Sequence, residues 1–181
     1  MALLNVLRLG HPVLRRRCDE VPPGDIGLDS FQHFIDDLAD TMRDYDGVGL
    51  AAPQVGEPLR MVVIEAHANP RYPGSSEIPF MVLINPVVSP LTELKVEGWE
   101  GCLSVPGLRG KVPRVEEIAV EALDRKGQPL KFTATGFLSV VIQHETDHLD
   151  GIVYLDRMED FGTLTYLDEF QKYWTEGGGA L

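Results

Sequence analysis

The sequence is poor in cysteine, in positive charge and in long apolar runs. It carries two cysteines, Cys18 and Cys102, in 181 residues. One bridge is the most they could form, so a disulfide-built secreted scaffold is excluded. Two separate thiols in a reducing compartment is the simpler expectation. Lys and Arg number 16 against 28 Asp and Glu, for a formal net charge of −12. Broad binding to nucleic acid or to an anionic membrane needs a positive surface, and neither is expected. No apolar run approaches the ~18 residues of a membrane span, so no transmembrane helix is predicted. The opening MALLNVLRLGHP has no long apolar stretch behind a basic start and no Arg- and Ser-rich leader. The cytoplasm is therefore the expected location.

Hydrophobic residues make up 44% of the chain, enough for a real core. The length suits a single domain spanning residues 1–181. There is no internal repeat, and the tail EGGGAL reads as frayed. VPPGDI (21–26) reads as a turn-rich connector. Phe31, Phe34, Ile35, Leu38, Met42 and Tyr45 recur at helical spacing. They predict an amphipathic helix over 30–45, with Ser30 as N-cap and Gly47 as stop. From 59 to 135 the pattern changes to LRMVVIEA, FMVLINPVV, LKVEGW, EEIAVEALD and PLKFTATG, separated by Pro and Gly. These read as strands, mainly antiparallel, with a long polar loop over 67–79. A second helix is predicted over 136–151, closed by Gly151, and a third over 162–174. The expected class is α+β: mixed or antiparallel strands around a central helix.

That second helix contains QHETDH (143–148). His144 and His148 stand four apart and so face the same way on a helix, where they can offer two nitrogens to one metal ion. Glu145 between them fits the H-E-x-x-H pattern, in which the carboxylate lies beside a metal-activated water. Val140 and Val141 sit one turn earlier, which places the pair on a partly buried face rather than in solvent. A solvated helix surface carrying two His by chance is the plain alternative.

Three ligands usually hold a catalytic metal of this kind, and the residues leave the third open. Asp168 and Glu169 lie about twenty residues downstream, where one class of zinc peptidases places a carboxylate. In the longer pattern with a third His, the final position here is Tyr154, a poor imidazole substitute. Cys102, in the Gly-flanked stretch EGCLSVPG, offers a thiolate suited to Zn²⁺ or Fe²⁺. A small buried apolar residue is its commoner role.

Three separated stretches, GVGLAAPQVG (47–56), EGCLSVPG (100–107) and QHETDHLDG (143–151), resemble in order the three signature motifs of peptide deformylases. The resemblance runs from LGHPVLRRRC to the final helix, and GLRGKVPR is most similar to the type I branch, on its bacterial or organelle-like side. It implies removal of the N-formyl group from the initiator methionine of new polypeptides, with release of formate. It implies Cys102, His144 and His148 as metal ligands, with Fe²⁺ the usual ion and Zn²⁺, Ni²⁺ or Co²⁺ able to replace it.

The resemblance also assigns roles around that ion. One thiolate and two neutral imidazoles leave a divalent ion with net positive charge, able to acidify a bound water. Glu145 would accept the water proton and deliver it to the leaving amine. The Gln54 amide and the Leu103 backbone N–H would donate to the oxygen where negative charge develops. Val48, Gly49, Gly101, Val140 and Val141 would bind the substrate, with Arg109 near its groove. Gly49 would let the peptide lie close, like an added strand. Some family members dock on the ribosome through a basic C-terminal helix. Here LDEFQKYWTEGGGAL has three acids and one Lys, so a transient ribosome contact at most is expected. Cys18 reads as a packing residue.

Overall fold

The computed structural model describes residues 2–67 and 77–175. Most of the polar loop expected over 67–79, and the EGGGAL tail, lie outside the described residues. Among those described are three α-helices, α1 (Asp29–Asp44), α2 (Gly136–Leu149) and α3 (Leu167–Tyr173). The strands are β1 (Gly49–Ala51), β2 (Met61–Ala66), β3 (Ile78–Pro90), β4 (Lys95–Cys102), β5 (Val105–Val115), β6 (Glu117–Leu123), β7 (Pro129–Thr135) and β8 (Thr165–Tyr166). They form a five-stranded sheet in the order β1-β2-β3-β6-β7 and a three-stranded sheet in the order β4-β5-β8. Every named pair is antiparallel. The class is α+β. No helix among the described residues is long and apolar enough to cross a membrane.

Strand alternation explains the layering. On β2, Met61 and Val63 join Val82 and Ile84 of β3 in packing against Ile35, Leu38 and Met42 of α1. Val62 and Ile64 point the other way, into a core shared with Val141, Ile142 and Leu149 of α2. One sheet thus carries α1 on one face and α2 on the other. Each of these fully buried aliphatic side chains contributes roughly 1.5–3 kcal/mol of transfer free energy. The second sheet closes over α2 through β5, and Cys102, Val105 and Val112 meet Tyr154 and Met158 in a smaller core. That places α2 between the two sheets.

Several expected boundaries moved. Ser30 is not the N-cap of α1: the turn Asp25–Leu28 lets the Leu28 carbonyl accept from Gln32 N–H, so the helix starts at Asp29. At the other end Asp46, not Gly47, takes the left-handed conformation, with φ 51°. The segment 162–174 is not one helix. Asp160 caps a 3-10 turn at Phe161–Thr163, Thr165 and Tyr166 then pair with Arg109 and Leu108, and only Leu167–Tyr173 is α-helical. Strand β5 was not expected, because Pro106, Gly107, Gly110 and Pro113 read as breakers. It tolerates Pro113 because β8 pairs only with Leu108 and Arg109, leaving the strand's other edge beside Pro113 outside that ladder.

Candidate metal and peptide site

Cys102 ends β4 at the tight turn into β5, facing the C-terminal half of α2. There it meets His144 and His148, and the ligating atoms of the three residues lie within 4.8 Å of one another. The Cys102 Sγ is 3.2 Å from His148 Nε2, and the two imidazole rings are 5.2 Å apart. Asp168 and Glu169 are exposed on α3, in neither case grouped with the histidines. Tyr154 does not ligate either: its ring stacks on His144 at 6.2 Å and 18°.

A buried charge network surrounds the three. His144 Nδ1 is 2.7 Å from Glu100 Oε2. Arg114 donates to both oxygens of Glu100, at 2.7 and 3.0 Å, and at 2.6 Å to Asp147, which also accepts from Arg157. Burial would raise the Glu100 carboxyl, but the hydrogen bonds from His144 and Arg114 win and hold it down to about 2. Burial would likewise raise the Cys102 thiol; attraction to His148 and hydrogen bonds from both imidazoles hold it well below its ordinary value. His144 is pushed well above the ordinary imidazole range, because its bonds to Cys102 and Glu100 outweigh burial. A buried sulfur held toward its thiolate, beside two imidazole nitrogens, is a donor set fitted to a divalent cation.

Glu145 is buried behind that cluster, and burial pushes its carboxyl up to about 7. Its Oε2 is buried with no protein hydrogen-bond partner. It packs so closely on β1 that a Cβ at position 49 would lie 2.5 Å from Oε1, which is why that residue is glycine. Gln54 is 1% exposed. Its Oε1 accepts from Ala51 N–H at 2.8 Å, which leaves the amide NH₂ aimed at Ser104 Oγ (3.2 Å) and Cys102 Sγ (3.5 Å).

A cavity of about 160 Å³ leads away from these groups, between α2 and β4. Val48, Gly49, Gly101, Leu103, Val140 and Val141 all line it. Arg109 does not: it is buried behind Gly101, with its guanidinium 6.0 Å from the Phe170 ring. Sequence reasoning missed Glu100, Arg114 and Asp147. Glu100 had one available signal, since residues two apart on a strand share a face and Cys102 is two away. It also missed Gly98 and Phe137, which line the cavity.

The model of the polypeptide deformylase family matches residues 3–163. The chain is 43% identical over 164 residues to peptide deformylase 2 of Pseudomonas putida, covering 91% of this chain and 92% of that one. To peptide deformylase 2 of Nostoc it is 44% identical over 176 residues, covering 96% of both. Among solved structures, the class I type b peptide deformylase of Acinetobacter baumannii with bound Met-Ala-Ser superposes with a TM-score of 0.84 at 34% identity, over 87% of this chain and 99% of that one. The actinonin complex of the Synechococcus elongatus enzyme gives 0.78 at 36% identity, over 88% of this chain and 81% of that one.

Proposed function

The chain belongs to the polypeptide deformylase family, and from that premise we propose that Cys102, His144 and His148 hold the metal ion on which the family depends. It is a hydrolase that removes the N-formyl group from newly made polypeptides. The observation that carries the metal assignment is the convergence of those three donors within 4.8 Å, with Cys102 and His144 lining the cavity. Soft thiolate with imidazole suits Fe²⁺ or Zn²⁺; Fe²⁺ is the proposed ion in the cell, with Zn²⁺, Ni²⁺ or Co²⁺ as substitutes. When bound, such an ion supplies Lewis-acid activation of water and of the formyl oxygen.

The chain's own groups do the rest. Glu145 Oε2 takes a proton from the attacking water and returns it to the departing amine nitrogen. A carboxyl raised to about 7 is matched to both halves of that task. Gln54 Nε2 and the Leu103 backbone N–H donate to the oxygen as it becomes negative. Gln54 is held for this by its bond from Ala51 and needs no reorganisation at the moment of reaction. Glu100 holds the His144 ring by its Nδ1, leaving Nε2 for the metal. Val48, Val140 and Val141 enclose the first side chain of the peptide, and Gly49 and Gly101 let its backbone lie close to β1 and β4.

The whole of residues 1–181 serves this one activity as a single domain. A nascent-chain substrate places the work in the cytoplasm. Contact with the ribosome is transient and does not use α3, whose Asp168 and Glu169 outnumber Lys172 and repel RNA. The test is formate release from formyl-Met-Ala-Ser by protein purified without oxygen and assayed for metal. Release that stops with chelator and in Cys102→Ala supports the reading. No release from folded, metal-loaded protein overturns it.

A further inference from the structure

Among the described residues four glycines line the cavity: Gly47, Gly49, Gly98 and Gly101. Three of them are crowded where a side chain would begin. A Cβ at Gly47 would meet Leu103 Cδ1 at 3.0 Å, one at Gly49 would meet Glu145 Oε1 at 2.5 Å, and one at Gly101 would meet the Arg109 guanidinium at 2.7 Å. Gly98 differs. A Cβ built there has no heavy atom within 4 Å, and its backbone is not in the left-handed region. Neither packing nor conformation demands glycine at that position. Glycine in the middle of a strand is also a poor choice for the strand itself.

What Gly98 does is leave room. It lies on the face of β4 that carries Glu100 two residues on, and its cross-strand partner Val112 also lines the cavity. Cys102 marks the reactive end of β4, and Gly98 is four residues back from it. On α2, Val140 and Phe137 step back from His144 in the same direction. The cavity therefore runs from the Cys/His cluster along β4 and α2 to an end walled by Val96, Gly98, Val112, Phe137 and Val140. Apart from the backbone, that end is wholly apolar. The side chain of the first peptide residue starts next to the reacting group, so its tip reaches this end.

We propose that Gly98 is a specificity-determining residue. The missing side chain deepens the apolar end of the cavity, so that the first residue of a formylated peptide can be bulkier than methionine, with phenylalanine as the test case. This rests on the deformylase reading above. A β-branched side chain at 98 would fill the space and select against such substrates while leaving the reacting groups in place.

The experiment compares kcat/KM for formyl-Phe-Ala-Ser and formyl-Met-Ala-Ser in the native protein, Gly98→Ala and Gly98→Val, with metal content and melting temperature measured for each. The native Phe/Met ratio should lie within about tenfold of unity. It should fall in Gly98→Ala and fall at least tenfold in Gly98→Val. Calorimetric binding of the products Phe-Ala-Ser and Met-Ala-Ser should show the same loss, in a readout independent of turnover. A general structural defect would lower both substrates together and leave the ratio unmoved, and that result overturns the proposal. So does a native ratio below one-hundredth. If the native protein releases formate from neither peptide, the deformylase reading itself has failed. If it releases formate but the ratio ignores position 98, only this inference has.

Discussion

Glu100 Oε2 lies 2.7 Å from His144 Nδ1, and the same carboxylate is gripped from behind by two hydrogen bonds from Arg114. The imidazole is thereby fixed in both tautomer and ring plane, with Nε2 directed at Cys102. Outer partners of this kind are worth roughly 10–100-fold in metal affinity. Glu100→Gln should keep the fold and lose metal affinity in that range, read by competition with a chelator of known strength. The variant can still accept from Nδ1–H but no longer carries the charge that Arg114 is paired with. Unchanged affinity would mean that Glu100 serves the fold alone.

Glu145 contributes no ligand atom to the Cys/His group, so its loss separates binding from turnover. Glu145→Gln keeps the volume that packs against Gly49 and removes the proton acceptor. It should retain the native metal content and lose about 10²–10⁴-fold in kcat, with KM for formyl-Met-Ala-Ser little changed. A variant turning over at near the native rate would refute the proton-transfer role.

Much of the frame was visible before any coordinates. The His pair four apart, the helical spacing of Phe31 to Met42 and the aliphatic runs of β2 and β3 are local patterns, and local patterns survive folding. What stayed hidden was set by tertiary contact. Strand β5 is written in Pro and Gly, and it exists because β4 offers it a ladder from Lys95 to Cys102. Arg114 on β5, Glu100 on β4 and Asp147 on α2 come from three separate elements, and no spacing rule joins them. Residue types alone put Cys102 only modestly ahead of Glu169, because both are sound ligands. The fold separates them by burying one beside His148 and leaving the other in solvent. Arg109 shows the same limit: burial behind Gly101, a residue that lines the cavity, is a tertiary fact that residue type does not carry.

Helix α3 has seven residues, too short to persist without tertiary support. Its support is aromatic. Phe170 sits 4.9 Å from the Trp99 ring at 62°, and Trp174 sits 5.4 Å from it at 55°. Such pairs are worth about 0.5–1.5 kcal/mol each beyond the area they bury. Phe170→Ala should release α3 without unfolding the sheets. The expected signs are a red shift in tryptophan emission, reporting from the only two tryptophans, Trp99 and Trp174, and faster hydrogen exchange confined to α3. Native emission and exchange in the variant would show that α3 is held by something else.

Cys18 tests burial against charge. It is 5% exposed, and its backbone N–H donates to the Leu149 carbonyl at the end of α2. Burial pushes the thiol up from 9.0 to about 11, against the pull of Arg60 and Arg16. A raised pKa means that the folded state holds the proton more tightly than the unfolded state does. The stabilisation is therefore complete below about pH 9 and is lost as pH rises toward about 11. A rise from 9.0 to about 11 corresponds to something on the order of 2–3 kcal/mol. Urea midpoints should fall between pH 9 and 11 in the native protein and fall less in Cys18→Ala, whose midpoint below pH 9 is itself lower because the buried sulfur's packing is lost. Iodoacetamide at pH 8 should leave Cys18 unmodified until the protein unfolds, since only the thiolate reacts. Rapid alkylation of native Cys18 at pH 8, or parallel urea profiles for the two proteins through pH 11, would place the sulfur in a far more polar setting than its burial implies.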